Sequence, residues 1–146
     1  MTELEEQSKS IFKLLDQQRS IYENYSRKHY LQGRSFQILL WIYYNPNGVS
    51  QKFLVEKTLA TKQVVNTTIK NWLKKNYIIL KADPADRRQK LVLLTEEGKQ
   101  LVKTIVEPLE ALEMKALLQL EEEERESLVF LLKKYTASLA KEMEKL

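Results

Sequence analysis

The chain has no cysteine, one histidine, 3 glycines and 3 prolines in 146 residues. Without cysteine there are no disulfides, no thiol chemistry, and no Cys-ligated zinc or iron–sulfur centres. A single histidine, His29, excludes His-rich metal sites and leaves little for acid–base catalysis. So few glycines and prolines argue for helices and against a loop-rich β fold. Long apolar runs are missing too. The longest, residues 38–44, falls far short of the roughly 20 residues that a membrane span needs. The N-terminus carries Glu3, Glu5 and Glu6 where an export signal would be basic, so a cytoplasmic protein with no membrane partner is expected. There is no phosphate-cradling glycine loop, no nucleophile elbow and no metal-ligand spacing. The expectation is therefore a non-enzyme without a cofactor or metal. What is present is a 43% apolar composition, enough for the core of one domain and an appended dimerisation element.

The 24 basic and 20 acidic side chains leave a formal charge of +4, and they are not spread evenly. Residues 51–90 hold 10 Lys and Arg against 3 Asp and Glu, whereas residues 91–146 hold 8 against 12. A basic block inside a folded domain points to a polyanionic partner, the alternative being a merely uneven solvated surface.

Hydrophobic spacing divides the chain into elements. Leu4, Ile11, Leu15, Tyr22, Tyr25 and His29 recur at helical intervals over the first 30 residues. A very apolar helix follows over about 34–45 and stops at Asn45-Pro46-Asn47-Gly48. Ser50 is a good N-cap for a short helix over 51–58, and Thr61 for another reaching Asn76, a residue suited to a left-handed helix end. Residues 77–81 and 90–94 read as two strands joined by a turn at Asp83-Pro84-Ala85-Asp86. Thr95 caps the next helix, which Pro108 should kink. Glu121 to Glu124 open a last helix striped with Leu128, Leu132, Tyr135, Leu139, Met143 and Leu146.

Helix, short helix, helix and a two-stranded wing make a mostly α, winged helix-turn-helix fold. In such a fold the helix after the turn enters the major groove. Between 61 and 76, Val65, Ile69, Trp72 and Leu73 form a packing face. Thr61, Lys62, Gln63, Asn66, Thr67 and Lys70 form an outer face without a carboxylate, chemistry suited to base edges and phosphates of double-stranded DNA. At the wing, Arg87, Arg88 and Lys90 are the cations that reach DNA, and Asp86 braces Arg88. The competing reading is a winged-helix module that docks an acidic protein. Tyr22, Tyr25 and His29 either line a pocket for a small aromatic or other small-molecule effector, or pack as an aromatic seam.

From Ser50 to Gly98 the sequence resembles the MarR family of bacterial transcriptional regulators. The resemblance is carried by Asp86-Arg87-Arg88-Gln89-Lys90-Leu91-Val92-Leu93-Leu94-Thr95-Glu96-Glu97-Gly98, which is similar to the family's wing signature, and by Leu73-Lys74-Lys75-Asn76-Tyr77-Ile78 before it. Three departures stand out. Asn76 and Leu59 occupy positions where the family favours Gly, and Asn66-Thr67 stands where Ser and Arg are frequent. The resemblance implies a homodimer on a palindromic site. Residues 1–32 and 100–146 would form the dimerisation helices and residues 33–99 the DNA-binding domain. It also implies repression, Arg88 at the wing with Asp86 as its brace, and release by a small-molecule effector.

Overall fold

The computed structural model describes residues 1–31 and 33–146. In chain order the elements are α1 (Glu3–Lys28), α2 (Ser35–Tyr43), β1 (Val49–Ser50), α3 (Gln51–Thr58), α4 (Lys62–Lys74), β2 (Ile78–Ala82), β3 (Lys90–Leu94), α5 (Glu96–Leu117) and α6 (Glu122–Met143). They form two compact units, Met1–Ile105 and Val106–Leu146, and α5 runs through the boundary.

Local chemistry starts α3 and α4 where the sequence indicates. Ser50 Oγ accepts from the Phe53 amide at 3.1 Å, and Thr61 Oγ1 accepts from the Val64 amide at 3.1 Å. Each bond satisfies a donor that an isolated helix end leaves orphaned. Thr2 and Glu5 close a reciprocal capping box at the start of α1. At the other end of α4, Asn76 takes φ 61. The Tyr77 amide then donates to the Trp72 carbonyl and the Asn76 amide to that of Leu73, which is the Schellman arrangement. Spending the Tyr77 amide on this cap delays β2 to Ile78.

The first unit is built around Ile38, Ile42, Val49, Leu54, Ala60, Val65, Ile69, Ile78 and Val92, all buried and in one cluster. Trp41 and Trp72 pack against it. Two expectations need correction here. The wing is not a two-stranded ribbon, because β1 pairs with β3 (Val49↔Val92, Ser50↔Leu91) and the sheet runs β1-β3-β2. A two-residue strand has no alternation to betray it; burial of Val49 under β3 is what recruits it. On α4 the packing face contains Thr68 in place of Leu73, which is 37% exposed. Helical spacing from Val65 reaches Thr68, Ile69 and Trp72 before it reaches Leu73. The buried Thr68 hydroxyl is satisfied by donating to the Val64 carbonyl at 2.8 Å.

In the second unit Glu121 and Glu124 close a capping box at the start of α6. None of the residues of α6 is buried. Leu128, Val129, Phe130, Leu131 and Leu132 lie exposed one after another, as do Tyr135, Leu139 and Met143. No helix among the described residues is long and apolar enough to cross a membrane.

Candidate nucleic-acid interface

The packing of α4 decides what it shows to solvent. With Val65, Thr68 and Ile69 turned into the core, Lys62, Gln63, Thr67 and Lys70 are exposed and Asn66 is half-buried beside them. Thr61 is exposed as well, with its hydroxyl committed to capping the helix. All six residues of the expected outer face are thus on one helix and its cap. Within 4.0 Å, Lys62 and Lys70 make no ion pair among the described residues. Their charge is uncompensated and the helix offers no carboxylate to compensate it.

At the wing, β2 and β3 pair from Ile78↔Leu94 to Ala82↔Lys90, leaving residues 83–89 as the tip. Arg87 and Lys90 are exposed, and the Arg88 side chain is 93% exposed. Asp86 does meet Arg88: its Oδ1 accepts from the Arg88 amide at 3.0 Å and from Nε at 3.4 Å. At this exposure the ion pair itself adds little, so the backbone bond is the main brace. The residue that organises the tip is Asp83, which the sequence reading treated only as part of a turn. It is 7% exposed. Its Oδ1 accepts from the Ala85 amide and its Oδ2 from the Gln89 side-chain amide, each at 2.9 Å. The Ala85 bond, then the Gln89 bond, hold its carboxyl below the usual carboxylate range. An Asp before Pro is the sequence signal for such a turn.

The wing is fastened to α4 and α5 at one junction. Thr95 Oγ1 donates to the Asn76 carbonyl at 2.7 Å and accepts from the Gly98 amide at 3.0 Å. The Thr95 amide donates to the Tyr77 carbonyl at 3.0 Å. Gly98 lets that carbonyl lie against α5, since a Cβ there would fall 2.0 Å from the Tyr77 oxygen. The Leu-Thr-x-x-Gly pattern at 94–98 therefore carries a structural function: it joins the end of α4 to the start of α5.

Of the expected effector trio, His29 lines a cavity and Tyr25 stacks on His29. A cavity of about 200 Å³ is lined by His29, Tyr30, Leu31, Trp72, Tyr77 and Leu101 among others, but not by Tyr22 or Tyr25. Tyr25 packs 4.7 Å from the His29 ring and 6.3 Å from Phe36, and its hydroxyl donates to the Ile105 carbonyl. Burial pushes that hydroxyl's pKa up. Tyr25 is thus engaged in packing within the chain, and Tyr22 is 37% exposed. Helical spacing alone could not say which aromatic faces the cavity and which the neighbouring helix. Among the described residues no group of three or more His, Asp and Glu is placed to hold a metal ion.

A sequence model of the MarR family matches residues 31–89, which span the helix-turn-helix and most of the wing. Solved structures extend the likeness in fold. One is Staphylococcus aureus MepR in its DNA-binding conformation, with TM-score 0.74 at 22% identity over 90% of this chain and 98% of that one. A MarR family regulator from Neisseria meningitidis gives TM-score 0.75 at 20% identity, with 99% of each chain covered. The S. aureus MepR–DNA complex gives 0.67 at 22% identity, covering 89% of this chain and 96% of that one. No curated protein sequence matches significantly. The fold is that of a winged helix-turn-helix protein. The sequence of its winged-helix part is similar to the MarR family, and the fold of the whole chain is the one that the MarR family regulator structures share.

Proposed function

We propose that the protein is a sequence-specific DNA-binding transcriptional regulator, a repressor that acts as a homodimer on a palindromic site. The observation that carries this reading is the outer face of α4. It holds unpaired Lys62 and Lys70 with Gln63, Asn66 and Thr67 between them, and no carboxylate. Lys suits phosphate or guanine, and the amides suit adenine. Arg88 at the wing tip reaches the adjacent minor groove. The MepR–DNA complex, which shares this fold, supports the docking.

The exposed apolar faces of α1 and α6 support the dimer. Phe12, Leu14 and Ile21 on the first, and Phe130, Leu131 and Leu132 on the second, are each more than a third exposed. Faces of this extent are buried by a second copy. Residues 1–32 and 100–146 supply the association, and residues 33–99 the DNA contact. Two-fold symmetry then sets the half-sites about 34 Å, or one helical turn, apart. The cavity beside His29 and Trp72 takes a small aromatic effector, which shifts the population between dimers that fit the site and dimers that do not.

The test is binding of the purified protein to its own upstream region, footprinted and measured against salt. Affinity should fall steeply as salt rises, with a log–log slope of about −0.9 per neutralised phosphate. Arg88→Ala should weaken binding while the dimer stays folded. A flat salt response, with no protected region, refutes the proposal and favours an acidic protein partner.

A further inference from the structure

The turn between α3 and α4 passes through Leu59 at φ 56, in the left-handed region. There a leucine Cβ crowds its own backbone, a strain that glycine does not feel. Among the described residues no bond or packing contact requires leucine at this point. The turn is fastened by its neighbour Thr58, which is 1% exposed, donates to the Leu54 carbonyl at 2.6 Å and accepts from the Ala60 amide at 3.4 Å. Leu59 itself is 81% exposed, so its side chain gains no burial in return. Five residues on, in the first turns of α4, Val64 is 40% exposed. Two apolar side chains thus flank Thr61, at the helix end that otherwise presents Lys62 and Gln63. Strain kept at an exposed position points to something outside the chain.

We infer that Leu59 and Val64 form an apolar reading surface for thymine, contacting its 5-methyl group in the major groove at a fixed position of each half-site. The inference rests on the DNA-binding reading above. It commits to thymine because this surface sits at the leading end of a cationic, carboxylate-free helix, and the 5-methyl is the apolar group on the base edges of that groove.

The experiment uses the full-length protein and a duplex that it enriches from a random pool. Thymines are replaced singly by deoxyuridine, which removes the methyl group alone. One position per half-site should cost the wild type about fourfold in affinity, the worth of one buried methyl. The same replacement should cost Leu59→Gly clearly less, Val64 alone remaining. Leu59→Gly should itself bind about sixteenfold more weakly, two such contacts being lost per dimer, while it unfolds at a higher temperature than the wild type. Val64→Ala, which leaves the turn untouched, should reduce the same penalty. Wild-type affinity in Leu59→Gly, or an equal deoxyuridine penalty in wild type and variant, overturns the inference while leaving DNA binding intact. Loss of self-association in Leu59→Gly overturns it in favour of contact between copies. A wild-type protein that enriches no duplex at low salt sinks the DNA-binding reading itself and the inference with it.

Discussion

Replacing Gly98 by alanine pits helix propensity against the junction of α4, β2 and α5. In an unencumbered helix the change would stabilise by about 1 kcal/mol. Here the new Cβ would lie 2.0 Å from the Tyr77 carbonyl oxygen and 2.9 Å from its carbon. Carbon prefers neighbours at roughly 3.5 Å, so α5 must retreat by about an ångström or more. The carbonyl cannot simply swing away, because it accepts the Thr95 amide at 3.0 Å. Retreat of α5 puts that bond and the Thr95 hydroxyl bond to Asn76 at risk, each worth about 1 kcal/mol. Overpacking adds about 1–3 kcal/mol. After subtracting the propensity gain, the net loss is about 2–4 kcal/mol. Urea denaturation followed by circular dichroism reads it, at one fixed protein concentration because association shifts the midpoint. With a slope of about 2 kcal/mol per molar, the midpoint should fall by about 1–2 M. A midpoint equal to the wild type's, or higher, would show that α5 and Tyr77 separate at no cost, and the reasoning about this junction would be refuted.

Tyr25→Phe should lower stability by about 1 kcal/mol through loss of the bond to the Ile105 carbonyl; an unchanged urea midpoint would show that the bond contributes nothing. The lowered pKa of Asp83 adds stability that is fully present above the ordinary carboxylate value of about 4 and is lost as the pH falls through its own lower value. The stability difference between wild type and Asp83→Asn should therefore narrow on acidification from about pH 6 to pH 3, and a constant difference would remove ionised Asp83 from the account. If the proposed dimer forms through α6, Leu132→Asp, which places a charge on its exposed face, should yield monomers in sedimentation and weaken DNA binding. A variant that remains dimeric would move the interface elsewhere.

Much of the fold is legible because local chemistry announces it. Ser50, Thr61 and Thr95 each cap the helix that follows them, and Asn76 ends α4 in the left-handed conformation that its side chain tolerates. The outer face of α4 is readable for the same reason, since helical period and charge suffice to sort six residues onto one surface. What stays hidden depends on partners distant in sequence. Tyr25 meets a carbonyl 80 residues away, and the need for glycine at 98 comes from Tyr77. Residues 49–50 become a strand only because Val92 and Leu91 lie alongside. Asp83 looks like any turn residue until Gln89 folds back over it.

The position of β3 between β1 and β2 has a consequence for association kinetics. A wing hung from a single strand pair would swivel, and each encounter would have to immobilise it separately from α4. With its inner strand clamped on both sides and its tip, 83–89, held by Asp83, the wing keeps little freedom of its own. On the proposed DNA-binding reading, groove and flank are then met by one rigid frame, and most of the ordering entropy of the second contact is spent at folding, before the encounter.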